Sequence, residues 1–524
     1  MKEFLIMLND VIIKLDAREK ISADILEIMN DKYQSLTENE KERSRQILID
    51  LFGDNYFARI FFFSFFLEIF RDKRWLFVIR ETLMTKKYPL WGRINDLKQY
   101  MRFSFMNPSF YEEDKEYGNH MELYQNILNE LYDKMEIDID YIPYAERSKK
   151  VVLIVSQLLY NTSHAPTKKL KYIYKCYERM GYQVRCVVCF YQGIEGNWGS
   201  KTMYNNISNQ MGEFQIDFDG YQLEGYNLVL RESDYISTLE KAVYSIWNEK
   251  PEFVLEIGDQ TLLAGLCSRF TTLVTMGCTS NLAISNAPII ATPVSFPEEE
   301  WNRKKQILNR DQLLVEVKHN IDELDMKNEC ITYKKATFGI SESSFVIIIA
   351  GTRLDEEIKD AFIEIMYQIL EMDEHFVIAV IGDCIKLQQR IVKDKKENRI
   401  IFLGVQKAFK ETIAIGDIFL NPPRLGGGSG GYFAIMEEVP VITLDHCDVQ
   451  GNVGMDFVCK SIENMPALVW KYFKDEEFMS KQKENCRKII QERVNVDGMK
   501  SFQMLTHTVK QYTLQREENE NASI

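Results

Sequence analysis

The chain has 524 residues, 45% hydrophobic and 27% charged, which exceeds what one core serves beyond roughly 250–300 residues, so several domains are expected and wholesale disorder is excluded. A net charge of −14 argues against a broad basic face for nucleic acid, which needs clustered Lys and Arg, and leaves room for a local basic cleft.

Residues 1–146 read as a helical N-terminal domain without strands, because ADILEIMNDKYQSL, EKERSRQILIDLF and MELYQNILNELYDKME all keep the helical period. The opening stretch MKEFLIMLNDVIIKLDAREK puts Asp10 and Asp16 where a secretory signal needs an unbroken apolar core. The aromatic run IFFFSFFL at 60–67 is far shorter than the about 20 residues that cross a bilayer, and is expected to form a buried helix. A cytoplasmic protein without a transmembrane segment is the expectation. NPSFYEEDKEYG, 107–118, reads as a loop.

At residue 149 the texture changes to KKVVLIVSQLL, an apolar run of the kind found in a parallel strand buried on both faces. The loop NTSHAPTKK, the helix LKYIYKCYERMG with its stop at Gly181 and the strand QVRCVVCFY complete a β-loop-α-β unit. YNLVLRES reads as irregular, DYISTLEKAVYSIWNEK as helix, PEFVLEIGDQ as strand, TLLAGLCSRF as helix, and TTLVTMG and APIIATPV as strands. The charged stretch 298–343 reads as a connection. The pattern then restarts with SFVIIIAG, HFVIAVIGD, NRIIFLGV, DIFLNPPRL and VPVITL, five strands separated by helices or loops.

These elements predict an α/β chain with two Rossmann-like domains facing across a cleft, at 147–335 and 336–495, followed by a C-terminal helix at 496–524 that returns to the first half. Ten scattered cysteines carry no disulfide framework. Cys186 and Cys189, three apart in a strand, are expected to point to opposite faces, which leaves no redox or zinc role for them.

The stretch NPPRLGGGSGGYFAIMEEVPVITL, 421–444, concentrates five glycines between 426 and 431. A bare loop that leads from a strand into a helix offers backbone N–H groups and the positive end of the helix dipole, which suits a diphosphate. The loop matches neither a GxxxxGK[ST] phosphate loop nor a GxGxxG fingerprint, so neither triphosphate hydrolysis nor NAD binding is supported. Arg353, in GTRLDEEI after the first strand of this half, could pair with phosphate oxygens. His164, in the loop after the first strand of the first half, and Asp259, in EIGDQTLL, are the two candidate bases; His164 could equally be a structural loop residue, and Asp259 reads first as the cap of a helix beginning at Gln260. Ser280 and Cys278, in MGCTSN, have no visible base partner. DxD matches at Asp138 and Asp217 lie outside the donor half and the six histidines are dispersed, so no metal is expected.

In the order of these elements, residues 150–515 resemble a GT-B glycosyltransferase, and DIFLNPPRLGGGSGGYFAIMEEVPVITLDHCDVQGNVG looks most like the O-GlcNAc transferase type and its bacterial cytoplasmic relatives that glycosylate adhesins. The resemblance implies that the second half binds a nucleotide-sugar diphosphate through Arg353, Asn421, Gly427, Gly428, Ser429, Gly430, Gly431, His446, Gln450, Gly451 and Asn452. The segment LDHCDVQGNVGMDF would start another helix that meets the diphosphate through those last three. Leu425 and Phe433 stand where many retaining relatives carry two glutamates, which favours inversion. The implied activity is transfer of GlcNAc or glucose from a UDP-sugar to an acceptor, a protein or peptide first, without a cofactor or metal. A catalytically silent GT-B-like subunit and a UDP-sugar epimerase are the alternatives, and homo- or hetero-oligomerisation stays open.

Overall fold

The computed structural model describes residues 1–107, 110–155, 165–192, 198, 210–218, 220–318, 332–393, 399–495 and 497–522. Seven helices come first: α1 (Lys2–Asp16), α2 (Ala23–Gln34), α3 (Glu38–Phe52), α4 (Tyr56–Phe70), α5 (Lys73–Met84), α6 (Leu90–Met106) and α7 (Glu113–Lys134). Local capping sets several starts: Thr37 and Glu40 form a capping box on α3, the Asn55 side chain accepts from the Ala58 amide, and Asp72 accepts from the Arg74 amide. The aromatic run is α4, with Ile60, Phe62, Phe63, Phe66 and Leu67 buried, and each such side chain contributes roughly 1.5–3 kcal/mol through burial. No described helix is long and apolar enough to cross a membrane.

A first sheet follows, built from β1 (Ser148–Val155), β2 (Gln183–Tyr191), β3 (Gly212–Phe218), β4 (Tyr221–Leu230), β5 (Pro251–Ile257), β6 (Leu273–Met276), β7 (Ile289–Thr292) and β8 (Leu313–Glu316). Its helices are α8 (Ala165–Arg179), α9 (Tyr235–Asn248), α10 (Leu262–Cys267) and α11 (Glu298–Ile307). The strand order is β3-β4-β2-β1-β5-β6-β7-β8, parallel throughout except for the β3–β4 pair.

Two sequence expectations are corrected here. The stretch read as irregular belongs to β4, which pairs in parallel with β2 from Val187↔Tyr226 to Tyr191↔Leu230. Just ahead of that stretch, a Cβ on Gly225 would fall 2.5 Å from the Phe214 ring, which lies across the strand in place of a side chain. The charged connection likewise supplies α11 and an eighth, edge strand, β8, before it leaves the sheet.

The seven N-terminal helices have no core separate from this sheet. Leu97, Tyr100, Tyr124 and Leu128 share one apolar cluster with Val152, Ile154, Val187, Cys189 and Val254 from one sheet face. Cys186 packs on the opposite face, as period-two alternation requires.

The second sheet contains β9 (Phe345–Ala350), β10 (Phe376–Ile381), β11 (Ile400–Gly404), β12 (Ile418–Leu420) and β13 (Val441–Ile442), all parallel, in the order β11-β10-β9-β12-β13. Between and after them come α12 (Leu354–Glu357), α13 (Asp360–Met372), α14 (Ile385–Lys393), α15 (Phe409–Ile413), α16 (Gly428–Met436), α17 (Asp448–Val453), α18 (Met465–Lys474) and α19 (Glu476–Val494). The last helix, α20 (Gly498–Ala522), lays Phe502, Leu505 and Val509 on the first sheet beside Leu170, Ile173 and Tyr177 of α8.

Candidate functional site

The glycine stretch leaves the carboxyl end of β12 and becomes α16 at Gly427, whose φ of +92° marks the left-handed cap that opens the helix. Beneath it lies Arg424, 6% exposed. Its guanidinium donates to Asn421 Oδ1 at 2.8 Å, to the Ala350 carbonyl at 2.8 Å and to Glu357 Oε2 at 2.8 Å. Glu357 is shared: its other oxygen pairs with Arg353 at 2.8 Å. Arg353 is part-exposed and lies over the Phe105 ring of α6, 5.6 Å from the centroid.

Bare backbone here serves the chain's own side chains first. A Cβ on Gly426 would fall 2.6 Å from Arg353 Nη2, and one on Gly427 would meet the Arg424 guanidinium. At Gly428 it would meet Asn452, at Gly430 the Phe419 ring at 3.1 Å, and at Gly431 Val449 Cγ1 at 2.6 Å. The amide of Gly430 is spent on the Gly427 carbonyl at 2.9 Å. Gly426 and Gly428 are buried while Ser429 stands exposed, so the turn meets solvent mainly around Ser429.

The carboxyl ends of the two sheets meet here. The Ser280 amide, after β6, donates to Asp448 Oδ1, after β13, at 2.6 Å. A Cβ on Gly451 would fall 2.7 Å from Val294 Cγ1. Burial pushes the Asp448 carboxyl up to about 6, against the hydrogen bond from the Ser280 amide and the charges of Arg353 and Lys169. Lys169 donates to the Gly277 carbonyl at 2.6 Å, and burial holds its ammonium below the usual lysine range.

Asp259 stands at the carboxyl end of β5 and is not the helix cap that its sequence position offered: α10 begins at Leu262 with Thr261 as its N-cap residue, and Gln260 takes a φ of +57°. Its carboxylate accepts from the Ile284 amide at 3.3 Å, and burial raises its pKa while Lys98 opposes the rise. Lys98 belongs to α6 and donates to the Gln260 carbonyl at 2.6 Å. The N-terminal helices therefore reach both halves, Lys98 at the first and Phe105 at the second.

The expected donor residues divide. Arg353, Gly427, Gly428 and Ser429 gather at the turn. Asn421 is turned inward, 1% exposed, with Nδ2 donating to Thr443 Oγ1 at 3.0 Å. Gln450, Gly451 and Asn452 lie within the helix expected after the last strand, α17, which opens at Asp448; Gln450 is buried against Met455, and Asn452 and Gly451 accept from Arg493. His446 projects from an exposed turn with φ +55°. His164 lies outside the described residues. Arg424, Glu357, Lys98 and Asp448 were not found by sequence reasoning, because each acts through a partner distant in the chain.

No protein-family model matches the chain, and no curated protein matches it by sequence. Among solved structures it is similar to the O-GlcNAc transferase of Thermobaculum terrenum at 11% identity and a TM-score of 0.50, over 95% of this chain and 100% of the other. The fold is GT-B. HepE of Anabaena in complex with UDP and glucose aligns with 69% of this chain and 100% of its own at 13% identity, TM-score 0.48. A glycosyltransferase of Rickettsia africae aligns with 69% of this chain and 99% of its own at 10% identity, TM-score 0.49. In this GT-B chain, α1–α7 precede the two sheets and α20 returns to the first.

Proposed function

We propose that this chain transfers a sugar from a UDP-linked donor to an acceptor held between the two halves. GlcNAc and glucose are the first donor sugars, a protein or peptide side chain is the first acceptor, and the cytoplasm is the proposed location. The observation that carries the reading is the left-handed cap at Gly427, which opens α16 from a bare turn packed against Arg353.

The leaving diphosphate develops charge as the glycosidic bond breaks, and fixed N–H groups with a guanidinium stabilise it without reorganisation; removing one such donor typically costs about 10²–10³ in rate. Proton removal from the acceptor falls to Asp259, whose burial-raised pKa makes it a stronger base than a solvated aspartate, with His164 as the other candidate. The reading includes no resident metal or organic cofactor. Leu425 and Phe433, where a retaining enzyme would carry carboxylates, point to inversion.

Thermal melts against a panel of nucleotide sugars test it, since a ligand bound only by the folded state raises the midpoint. UDP-sugars are expected to stabilise the chain and to be hydrolysed slowly, and Arg353→Ala is expected to lose most of the shift. No stabilisation by any nucleotide sugar would sink the proposal.

One observation favours a second reading, a binding subunit of the same fold without catalysis: the single Glu357 carboxylate already pairs with both arginines at the turn. Donor binding without hydrolysis or transfer would select it.

A further inference from the structure

Three features of the cleft converge on the Asp448 carboxylate. The Ser280 amide donates to it at 2.6 Å from the opposite half. The Ser280 hydroxyl, in a residue only 6% exposed, has no partner at hydrogen-bond geometry, yet it lies close enough to the same carboxylate to favour its charged form. Two cations act on it as well, Lys169 from the first half and Arg353 from the second. Lys169 is fixed by the Gly277 carbonyl, in the same loop as Ser280.

Asp448 does not use this carboxylate for its own helix. The cap of α17 is Cys447, whose Sγ accepts from the Gln450 amide at 3.5 Å. A side chain that leaves its helix to collect an amide, an unpaired hydroxyl and a cation across a cleft, with a second cation from its own half, is filling a site built for an anion.

We propose that Ser280 and Lys169 of the first half and Arg353 of the second form a phosphate subsite spanning the cleft, and that the Asp448 carboxylate holds it in the closed conformation until a diphosphate displaces it. The inference rests on the transferase reading and adds to it: the first half grips the donor as well as the acceptor, and closure and donor binding use the same groups. The step is an exchange of one anion for another, with no bond made or broken. The ligand class is a pyrophosphate ester, and inorganic pyrophosphate carries its recognised chemistry.

Calorimetry on the full chain at pH 7.5 tests it with sodium pyrophosphate and, separately, UDP. Asp448→Asn keeps an acceptor for the Ser280 amide while removing the competing charge, and is expected to bind pyrophosphate roughly tenfold more tightly than wild type. Lys169→Met is expected to weaken pyrophosphate binding roughly tenfold, and Ser280→Ala by a smaller factor with an unchanged melting temperature. Unchanged or weaker binding by Asp448→Asn overturns the proposal, as does the absence of pyrophosphate binding in every protein tested. If Lys169→Met does not fold, Ser280→Ala decides alone, and indifference to it counts against the subsite. The expected pyrophosphate pattern without any binding of UDP or UDP-sugars leaves the subsite standing and removes the transferase reading. UDP binding that ignores all three substitutions does the reverse.

Discussion

Glu357 holds Arg353 on one oxygen and Arg424 on the other, yet the two arginines differ in kind. Arg424 is buried with every contact inside the protein, so Arg424→Met leaves a buried carboxylate short of its partner, and a loss of about 3–5 kcal/mol is expected in urea unfolding. Arg353, with a side chain 32% exposed, should cost less than about 1 kcal/mol when changed to Ala, and its effect should appear in donor affinity. Equal stability losses for the two would show that this division is wrong. Asp448 adds a dependence on pH. Burial raises its carboxyl from 3.8 to about 6, with Lys169, Arg353 and Cys278 as its charged or titratable neighbours. The folded state binds that proton more tightly than the unfolded chain, so the group favours folding below about pH 4 and that support is lost as pH rises through about 6. Asp448→Asn should then exceed wild type in stability by about 1 kcal/mol at pH 8 and show little advantage at pH 4. An advantage that grows toward acid would contradict the assignment.

At the scale of elements, the glycine turn is a packing device. Gly427→Ala combines a positive φ with a clash on the Arg424 guanidinium, and a destabilisation of about 2 kcal/mol is expected from denaturant titration; a neutral result would mean that the turn relaxes freely. Most of the α/β alternation was legible because strands buried on both faces, such as VVLIV and VIIIA, read as unbroken apolar runs. β3, β4 and β8 were not, since they lie at or next to the sheet margins where exposed polar residues interrupt the run, and Gly225 adds a break that only the Phe214 ring explains. The site divided in the same way. A turn rich in glycine announces itself locally, whereas the Ser280–Asp448 contact joins residues 168 apart and nothing in either segment points to the other. Ser280 has no base partner within its own segment, and its neighbour in the fold is a carboxylate from the other half.

Across the whole molecule, closure rests on contacts with little slack. Gly451 faces Val294 from the other half, and Gly451→Ala would put a methyl 2.7 Å from its Cγ1. A loss of about 1 kcal/mol is expected, with recovery in the double variant carrying Val294→Ala, since the two sites share one contact; additive losses would show that the halves do not press together there. The helices α1–α7 take part in this arrangement, for α6 sends Lys98 to the backbone of the first half and Phe105 to Arg353 of the second. Their shared core with the first sheet also has a practical meaning for anyone seeking a smaller version of the protein. Trimming the polypeptide just ahead of β1 would strip a hydrocarbon face the width of several strands and hand it to water, so such a fragment should precipitate, and screens for acceptor choice belong on the uncut protein.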